Sequence, residues 1–143
     1  MIGAVLRRLG ICGLFGVGLT ACQQPQTSSP QACPSIEYAG PAEAMQALLA
    51  DPNTKRSIQS GWYLIERRRG KLTEYWTFTP TDHPAHPSVG MRVGCQHEDG
   101  SWGVKTNLIC QASKRVCDAL LEDYLLLDEQ LRQHLEETYG SGI

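Results

Sequence analysis

The stretch SVGMRVGCQHEDGSWGVKTNLIC, residues 88–110, decides the fold. Every second residue from Val89 to Cys95 is apolar, and the same period recurs from Trp102 onward. A period of two places alternate side chains on opposite faces of a strand. The Asp-Gly pair within this stretch is typical of a two-residue turn, so we predict a β-hairpin in which Cys95 faces Val104 and Val89 faces Cys110.

Elements on either side of this hairpin predict a single α+β domain. Ser113 has the side chain of a helix cap, and apolar residues follow at steps of three or four as far as Leu135, which predicts a long amphipathic helix. Upstream, residues 41–51 predict a short helix, and residues 62–68 and 72–79 predict another hairpin. We therefore expect a four-stranded antiparallel sheet of two hairpins, flanked by the short N-terminal helix and packed on one face by the long C-terminal helix.

The beginning of the chain has the features of a secretory leader. Arg7 and Arg8 precede eleven uncharged residues that end at Leu19, too few to cross a bilayer core of roughly 30 Å. Paired arginines also occur in twin-arginine export signals, although nothing around them supports that route. We interpret residues 1–21 as a signal peptide.

The end of this leader, Leu19-Thr20-Ala21-Cys22, resembles the lipobox of bacterial lipoproteins. The resemblance implies that the leader is cut before Cys22 and that Cys22 carries a covalent lipid with acyl chains such as palmitate. An ordinary leader with a chance cysteine is the alternative. In Gram-negative lipoproteins an Asp after the acylated cysteine commonly retains the protein in the inner membrane, and here that residue is Gln23. The resemblance therefore implies an anchor in the outer membrane, facing the periplasm.

Residues 22–35 are rich in Gln, Pro and Ser, and we predict that they form a tether in front of one globular domain, residues 36–143. Four cysteines remain after the leader and the lipid are accounted for, and an oxidising compartment favours disulfides over a zinc site. The predicted hairpin separates Cys95 from Cys110 by about 20 Å, which excludes that pair. We favour Cys33 with Cys95 and Cys110 with Cys117, and the crossed arrangement stays open.

Two groups of residues are candidates for binding a partner. Arg67, Arg68 and Arg69 form a basic run in the first hairpin, and the proline-rich residues 79–87 carry His83 and His86. Basic side chains attract anionic partners, and loops on a rigid scaffold collect exposed contacts. A solvated hairpin tip and a stiff connector between strands are the plainer interpretation.

Catalysis, metal binding and nucleic-acid binding have less support in the sequence. The motifs of hydrolases, phosphate-binding loops and metalloproteases do not occur in it. Asp82, His83 and His86 have metal-ligand chemistry, but each histidine precedes a proline that keeps it extended. Cys95 and His97 resemble a thiol with its base only while Cys95 is free. A formal net charge of −2 removes the attraction expected of a nucleic-acid binder. We expect no enzyme activity, no metal and no cofactor other than the lipid on Cys22.

The segments Trp-Thr-Phe-Thr-Pro and His-Pro-Ala-His-Pro, with Cys117 near a helix start, resemble small proteobacterial envelope proteins of uncharacterised function. The resemblance implies a location and no mechanism. We therefore expect a non-catalytic binding or assembly module held at the membrane by its lipid, with an envelope protein or a cell-wall polymer as partner. An inhibitor or immunity-type protein that blocks a toxin or lytic enzyme is the alternative.

Overall fold

The computed structural model describes residues 32–140, so the predicted leader, Cys22 and most of the predicted tether lie outside the described residues. The α+β class, the antiparallel sheet and the long C-terminal helix are confirmed. The elements in chain order are α1 (Pro41–Ala50), β1 (Thr54–Gln59), β2 (Trp62–Arg69), β3 (Leu72–Phe78), β4 (Ser88–Gln96), β5 (Trp102–Cys110) and α2 (Lys114–Tyr139). Neither helix of the described part has the length and apolar character needed to span a membrane.

The sheet has five strands rather than the four predicted, in the order β1-β2-β3-β4-β5. The additional strand, β1, forms one edge and pairs antiparallel with β2. The two residues that join these strands, Ser60 (φ 49°) and Gly61 (φ 82°), have the positive φ that a two-residue hairpin turn requires. The sequence of β1, TKRSIQ, has Ile58 as its one apolar residue and is almost entirely exposed. An edge strand without a buried face shows no alternation, which is why the four-strand prediction was wrong.

The β4–β5 hairpin forms where it was predicted, but its register differs by one residue. Cys95 faces Gly103 rather than Val104, and Val89 faces Ile109 rather than Cys110. Residues 97–101 connect the two strands. The N–H of His97 donates to the carbonyl of Ser101 at 2.8 Å, so the tip has three residues instead of two, and the last of them, Gly100, has a φ of 84°. A three-residue loop with a left-handed final residue is another common hairpin connection, so the Asp-Gly pair did not determine the loop length.

The main core lies between the sheet and the N-terminal part of the domain. Three strands contribute side chains that are at most 1% exposed: Ile65, Trp76, Val89, Met91 and Val93. Ala44 and Leu48 of α1 pack on them from outside, together with Ile36 and Tyr38 of the preceding segment. The long helix α2 packs on the other face, mainly over β4 and β5. This part of the sheet is therefore buried on both faces, whereas the sequence predicted burial of one.

Two glycines of β4 make room for α2. A Cβ atom on Gly90 would lie 2.6 Å from Cε2 of Tyr124, and one on Gly94 would overlap the Leu135 side chain. The Tyr124 hydroxyl is hydrogen-bonded to Oγ1 of Thr77 at 2.6 Å, which fixes the ring over Gly90. Burial raises the pKa of Tyr124. The close approach of α2 therefore depends on the missing side chains at these two positions.

The substitution Gly90→Ala is expected to lower the free energy of unfolding by about 1–3 kcal/mol, because the added methyl group displaces the ring of Tyr124. Gly103→Ala is the matched control on β5. Its Cβ would meet the ring of His97, an exposed side chain that can move aside. Urea unfolding followed by circular dichroism measures both variants. Equal losses of stability would show that the packing of α2 on Gly90 is not the cause.

Both disulfides favoured from the sequence are present. Cys33 is bonded to Cys95 with a Cα–Cα distance of 5.7 Å, and Cys110 is bonded to Cys117 with a Cα–Cα distance of 5.8 Å. The first bond attaches the segment before α1 to β4, and the second attaches the end of β5 to the beginning of α2. The predicted pairing is confirmed.

Candidate functional site

Arg67, the first residue of the basic run, lies in the main core and not on the surface. It is 8% exposed, and its Nε and Nη2 atoms lie 2.7 Å from Oε2 of the fully buried Glu74. Its Nη1 atom donates to the hydroxyl of Tyr38 at 2.9 Å, and its guanidinium lies 5.2 Å from the centroid of the Trp76 ring. Burial lowers the pKa of Arg67, but the bonds to Glu74 and Tyr38 outweigh it and the net pKa is raised. Arg67 is a structural residue, contrary to the prediction that it contacts a partner.

The other two arginines of the run lie on opposite faces of β2. The Arg69 Nε atom is 3.2 Å from Oε1 of Glu74, so Arg69 belongs to the same ion cluster, although its side chain is 41% exposed. The indole of Trp76 donates to the other oxygen of Glu74 at 2.9 Å. Arg68 points to the opposite face and is exposed. Arg68 is thus the arginine of this run that is best placed to meet a partner.

The basic run and the loop of residues 79–87, the histidine loop, lie at opposite ends of the sheet. Arg69 precedes the β2–β3 turn, whereas His83 contacts Trp62, the first residue of β2, with ring centroids 5.1 Å apart. The length of β2 separates these ends by about 23 Å, at about 3.3 Å per residue. The two groups of candidate residues therefore lie on separate surfaces.

The histidine loop is ordered by contacts within the domain. Ala85 is fully buried against Leu120 of α2, and its N–H donates to Nδ1 of His83 at 3.1 Å. His86 is exposed, and its Nδ1 atom lies 3.1 Å from the carbonyl oxygen of Thr79. The loop is a rigid connector that presents the His86 ring to solvent at this end of the sheet.

The other chemistry considered from the sequence is not assembled. Within residues 32–140, no three His, Cys, Asp or Glu side chains come close enough to hold a metal ion. Cys95 is bonded to Cys33, so it has no thiol for His97 to activate. His97 itself is an exposed residue of the β4–β5 turn.

A groove of about 650 Å³ runs between the C-terminal half of α2 and the sheet. Seven of its lining residues carry polar or aromatic groups: Lys71, Thr73, Tyr75, Gln96, Trp102, His134 and Tyr139. The rings of Trp102 and Tyr139 lie 5.6 Å apart, and the indole of Trp102 donates to the carbonyl of Gly140 at 3.2 Å. This contact holds the end of α2 against β5. The volume of the groove falls within the range of ligand-binding sites, about 300–1,000 Å³.

Tyr75 connects the groove to an open part of the sheet. It lies on the α2 side of β3, between Glu66 of β2 and Arg92 of β4. Because α2 packs mainly on β4 and β5, the neighbouring residues of β1 and β2, such as Lys55 and Glu66, are exposed there. Burial, and then the charge of Glu66, raise the pKa of Tyr75. The phenol therefore stays protonated at neutral pH and can donate a hydrogen bond to a bound partner.

The sequence prediction reached the rim of this groove but not the groove itself. Lys71 follows the basic run by two residues, and it lines the groove. The signals for the rest were present but separate. Trp102 shares the strand face of Val104, and Tyr139 follows Leu135 by four residues on the buried stripe of α2.

No protein-family model matches the sequence, and no curated protein or solved structure matches it either.

Proposed function

We propose that the protein is a lipoprotein of the Gram-negative envelope, anchored in the outer membrane through lipid on Cys22, that binds an envelope protein without catalysis. The groove beside α2 is the binding site in this proposal. Tyr75, Trp102 and Tyr139 supply its aromatic contacts, and the exposed Lys71 supplies positive charge at the rim. The groove is the observation that carries the binding role.

The anchor is supported by the sequence before the domain and by the cysteine chemistry within it. The lipobox-like Leu19-Thr20-Ala21-Cys22 ends a leader, and Gln23 favours the outer membrane by resemblance. Disulfides persist in exported proteins and are rare in the cytosol. The two bonds in this small domain agree with an oxidising compartment such as the periplasm.

The binding role is supported by the kind of side chains that the groove exposes. Tyr, Trp and Arg supply most of the binding energy at protein interfaces. Tyr139 is 68% exposed, yet its ring already packs on Trp102. A ring held in this way loses less conformational freedom on binding, which favours affinity. A protein surface is therefore a better match than a uniform charged polymer.

A photo-reactive residue placed at position 139 tests this proposal in living cells. Leu126 is the matched control position, because it is also on α2 and is 73% exposed, but it is not among the groove residues. We expect a cross-link to an envelope protein from position 139 and not from position 126. The double variant Tyr75→Ala/Tyr139→Ala should recover at least about tenfold less partner, since each 1.4 kcal/mol lost is a factor of ten in affinity.

Other outcomes of this experiment would replace the proposal. The same products from both positions would show that the groove is not the binding site. A cross-linked glycan would make the cell-wall polymer the partner. Recovery of a toxin or lytic enzyme that the protein inactivates would establish the inhibitor function instead.

A further inference from the structure

The first described residues, from residue 32 onward, are attached at the end of the sheet where β4 turns into β5. Cys33 is bonded to Cys95, one residue before the end of β4. On β5, the Lys105 ammonium donates to the Ser35 hydroxyl at 2.6 Å and to the carbonyl of Cys33 at 3.5 Å. The point from which the chain leads back to Cys22 is therefore fixed on two strands. We name this end of the domain, with the β2–β3 turn, the β4–β5 turn and the end of α2, the root end.

Basic and aromatic side chains gather at the root end. The antiparallel register brings the β2–β3 turn level with Cys95, so the exposed Arg68 and Lys71 lie at this end. Trp102 begins β5 here, and Tyr139 ends α2 beside it. The two exposed positive charges therefore lie at the same end of the sheet as an aromatic pair, and Lys71 lines the groove together with that pair.

The root end also carries acidic residues, which lie apart from the basic turn. Glu98 and Asp99 belong to the β4–β5 turn, two strand spacings or about 10 Å from the β2–β3 turn. The Asp99 carboxylate accepts bonds from the N–H and the hydroxyl of Ser101, at 2.9 and 2.6 Å, and the pKa of Asp99 is lowered as a result. Glu137 is exposed near the end of α2. The charge at this end is divided into a basic side and an acidic side.

The distance from the anchor keeps the root end close to lipid. Eleven residue steps separate Cys22 from Cys33, a contour of at most about 40 Å in any conformation. Confinement by a short linker corresponds to an effective concentration in the millimolar range. Contacts with lipid headgroups that are too weak to bind a free protein are then sufficient to orient a tethered one.

We propose that the root end docks on the bilayer that holds the anchor, with Arg68 and Lys71 on the phosphates of anionic lipids and Trp102 and Tyr139 at headgroup depth. Basic side chains are attracted to anionic lipid surfaces, and Trp and Tyr favour the membrane–water interface. The histidine loop, at the opposite end of the sheet, then faces away from the membrane. This inference rests on the proposed lipid anchor. Because Lys71, Trp102 and Tyr139 also line the groove, the bilayer and a protein partner compete for these three residues.

Two tryptophans at opposite ends of the sheet provide the test. The acylated protein is placed in vesicles of phosphatidylethanolamine and phosphatidylglycerol that contain brominated lipids, which quench tryptophan at short range. Trp62→Phe leaves Trp102 at the root end, and Trp102→Phe leaves Trp62 at the far end, with the 1% exposed Trp76 common to both. We expect strong quenching in the Trp62→Phe protein and little in the Trp102→Phe protein. Equal quenching, or stronger quenching of Trp62, would overturn the proposal.

Charge reversal separates lipid contact from proximity alone. Arg68→Glu/Lys71→Glu should reduce the quenching of Trp102 by about half or more, because attraction to the anionic surface becomes repulsion. Lys114→Glu/Arg115→Glu is the matched control, since both residues are exposed at the start of α2, away from the root end. No difference between the two double variants would reject the role of Arg68 and Lys71.

Flotation of the acylated protein with vesicles distinguishes failure of the docking proposal from failure of the anchor proposal. A protein that floats without selective quenching rejects the docking alone, whereas a protein processed without lipid rejects the anchor as well.

Discussion

Loss of the Cys33–Cys95 disulfide, in the variant Cys33→Ser/Cys95→Ser, is expected to lower the free energy of unfolding by about 4 kcal/mol. The two cysteines are 62 residues apart, so their bond removes many conformations from the unfolded chain. Cys110 and Cys117 are separated by 7 residues, and the same relation gives about 2 kcal/mol for their bond. The first bond also holds Ile36 and Tyr38 on the main core.

Urea unfolding measures both losses, on a Cys22→Ser background that removes the proposed lipid. Small domains are typically stable by about 5–15 kcal/mol, so a loss of about 4 kcal/mol moves the unfolding midpoint far toward lower urea. The order of the two variants is the decisive observation. A larger loss from Cys110→Ser/Cys117→Ser would contradict the dependence on loop length.

The substitution Glu74→Gln is expected to destabilise the protein by about 3–5 kcal/mol, because it leaves the buried Arg67 guanidinium without its counter-charge. Glu74 is fully buried, and it also accepts the indole N–H of Trp76 and pairs with Arg69. A neutral amide can still accept hydrogen bonds, but it cannot balance a positive charge in the core. Thermal or urea unfolding at neutral pH gives the magnitude.

Two further variants isolate the charge effect at Glu74. Glu66→Gln changes an exposed acid on the opposite face of the neighbouring strand, and it should alter stability by less than about 0.5 kcal/mol. Arg67→Met/Glu74→Leu replaces both charges with apolar groups and should recover most of the loss. A double variant as unstable as Glu74→Gln would show that shape, rather than charge balance, explains the effect.

The parts of the fold that the sequence predicted correctly are those with a strong repeating pattern. The alternation in β4 and β5 and the apolar stripe of α2 identified three elements and, through them, the disulfide pairing. β1 carried no such pattern because it buries almost nothing. The covering of the second face was missed because Gly90 and Gly94 look like weak strand residues, whereas they are the positions against which α2 packs.

The candidate site was harder to predict because it depends on long-range neighbours. In the basic run, the period of two could have placed Arg67 on the buried face of Ile65, but only the structure shows that Glu74 lies opposite to receive it. The groove joins Tyr75, Trp102 and Tyr139, which are far apart in the chain. Their proximity follows from strand order and from the direction of α2, neither of which is a local property.

Under the proposed lipid anchor, the edge strand β1 has a consequence for how copies of the protein share a membrane. In the antiparallel ladder with β2, every second residue of β1 directs its backbone N–H and C=O groups away from the sheet, and the two-residue turn after Gln59 assigns these positions to Thr54, Arg56 and Ile58. Such an edge is a template on which another chain can add a strand. Proteins confined to a plane collide at their sides more often than the same number of molecules in solution, which favours growth of a sheet from one copy to the next. Lys55 and Arg56 oppose this growth. An approaching copy would bring its own Lys55 and Arg56 against them, and like charges across adjacent strands repel.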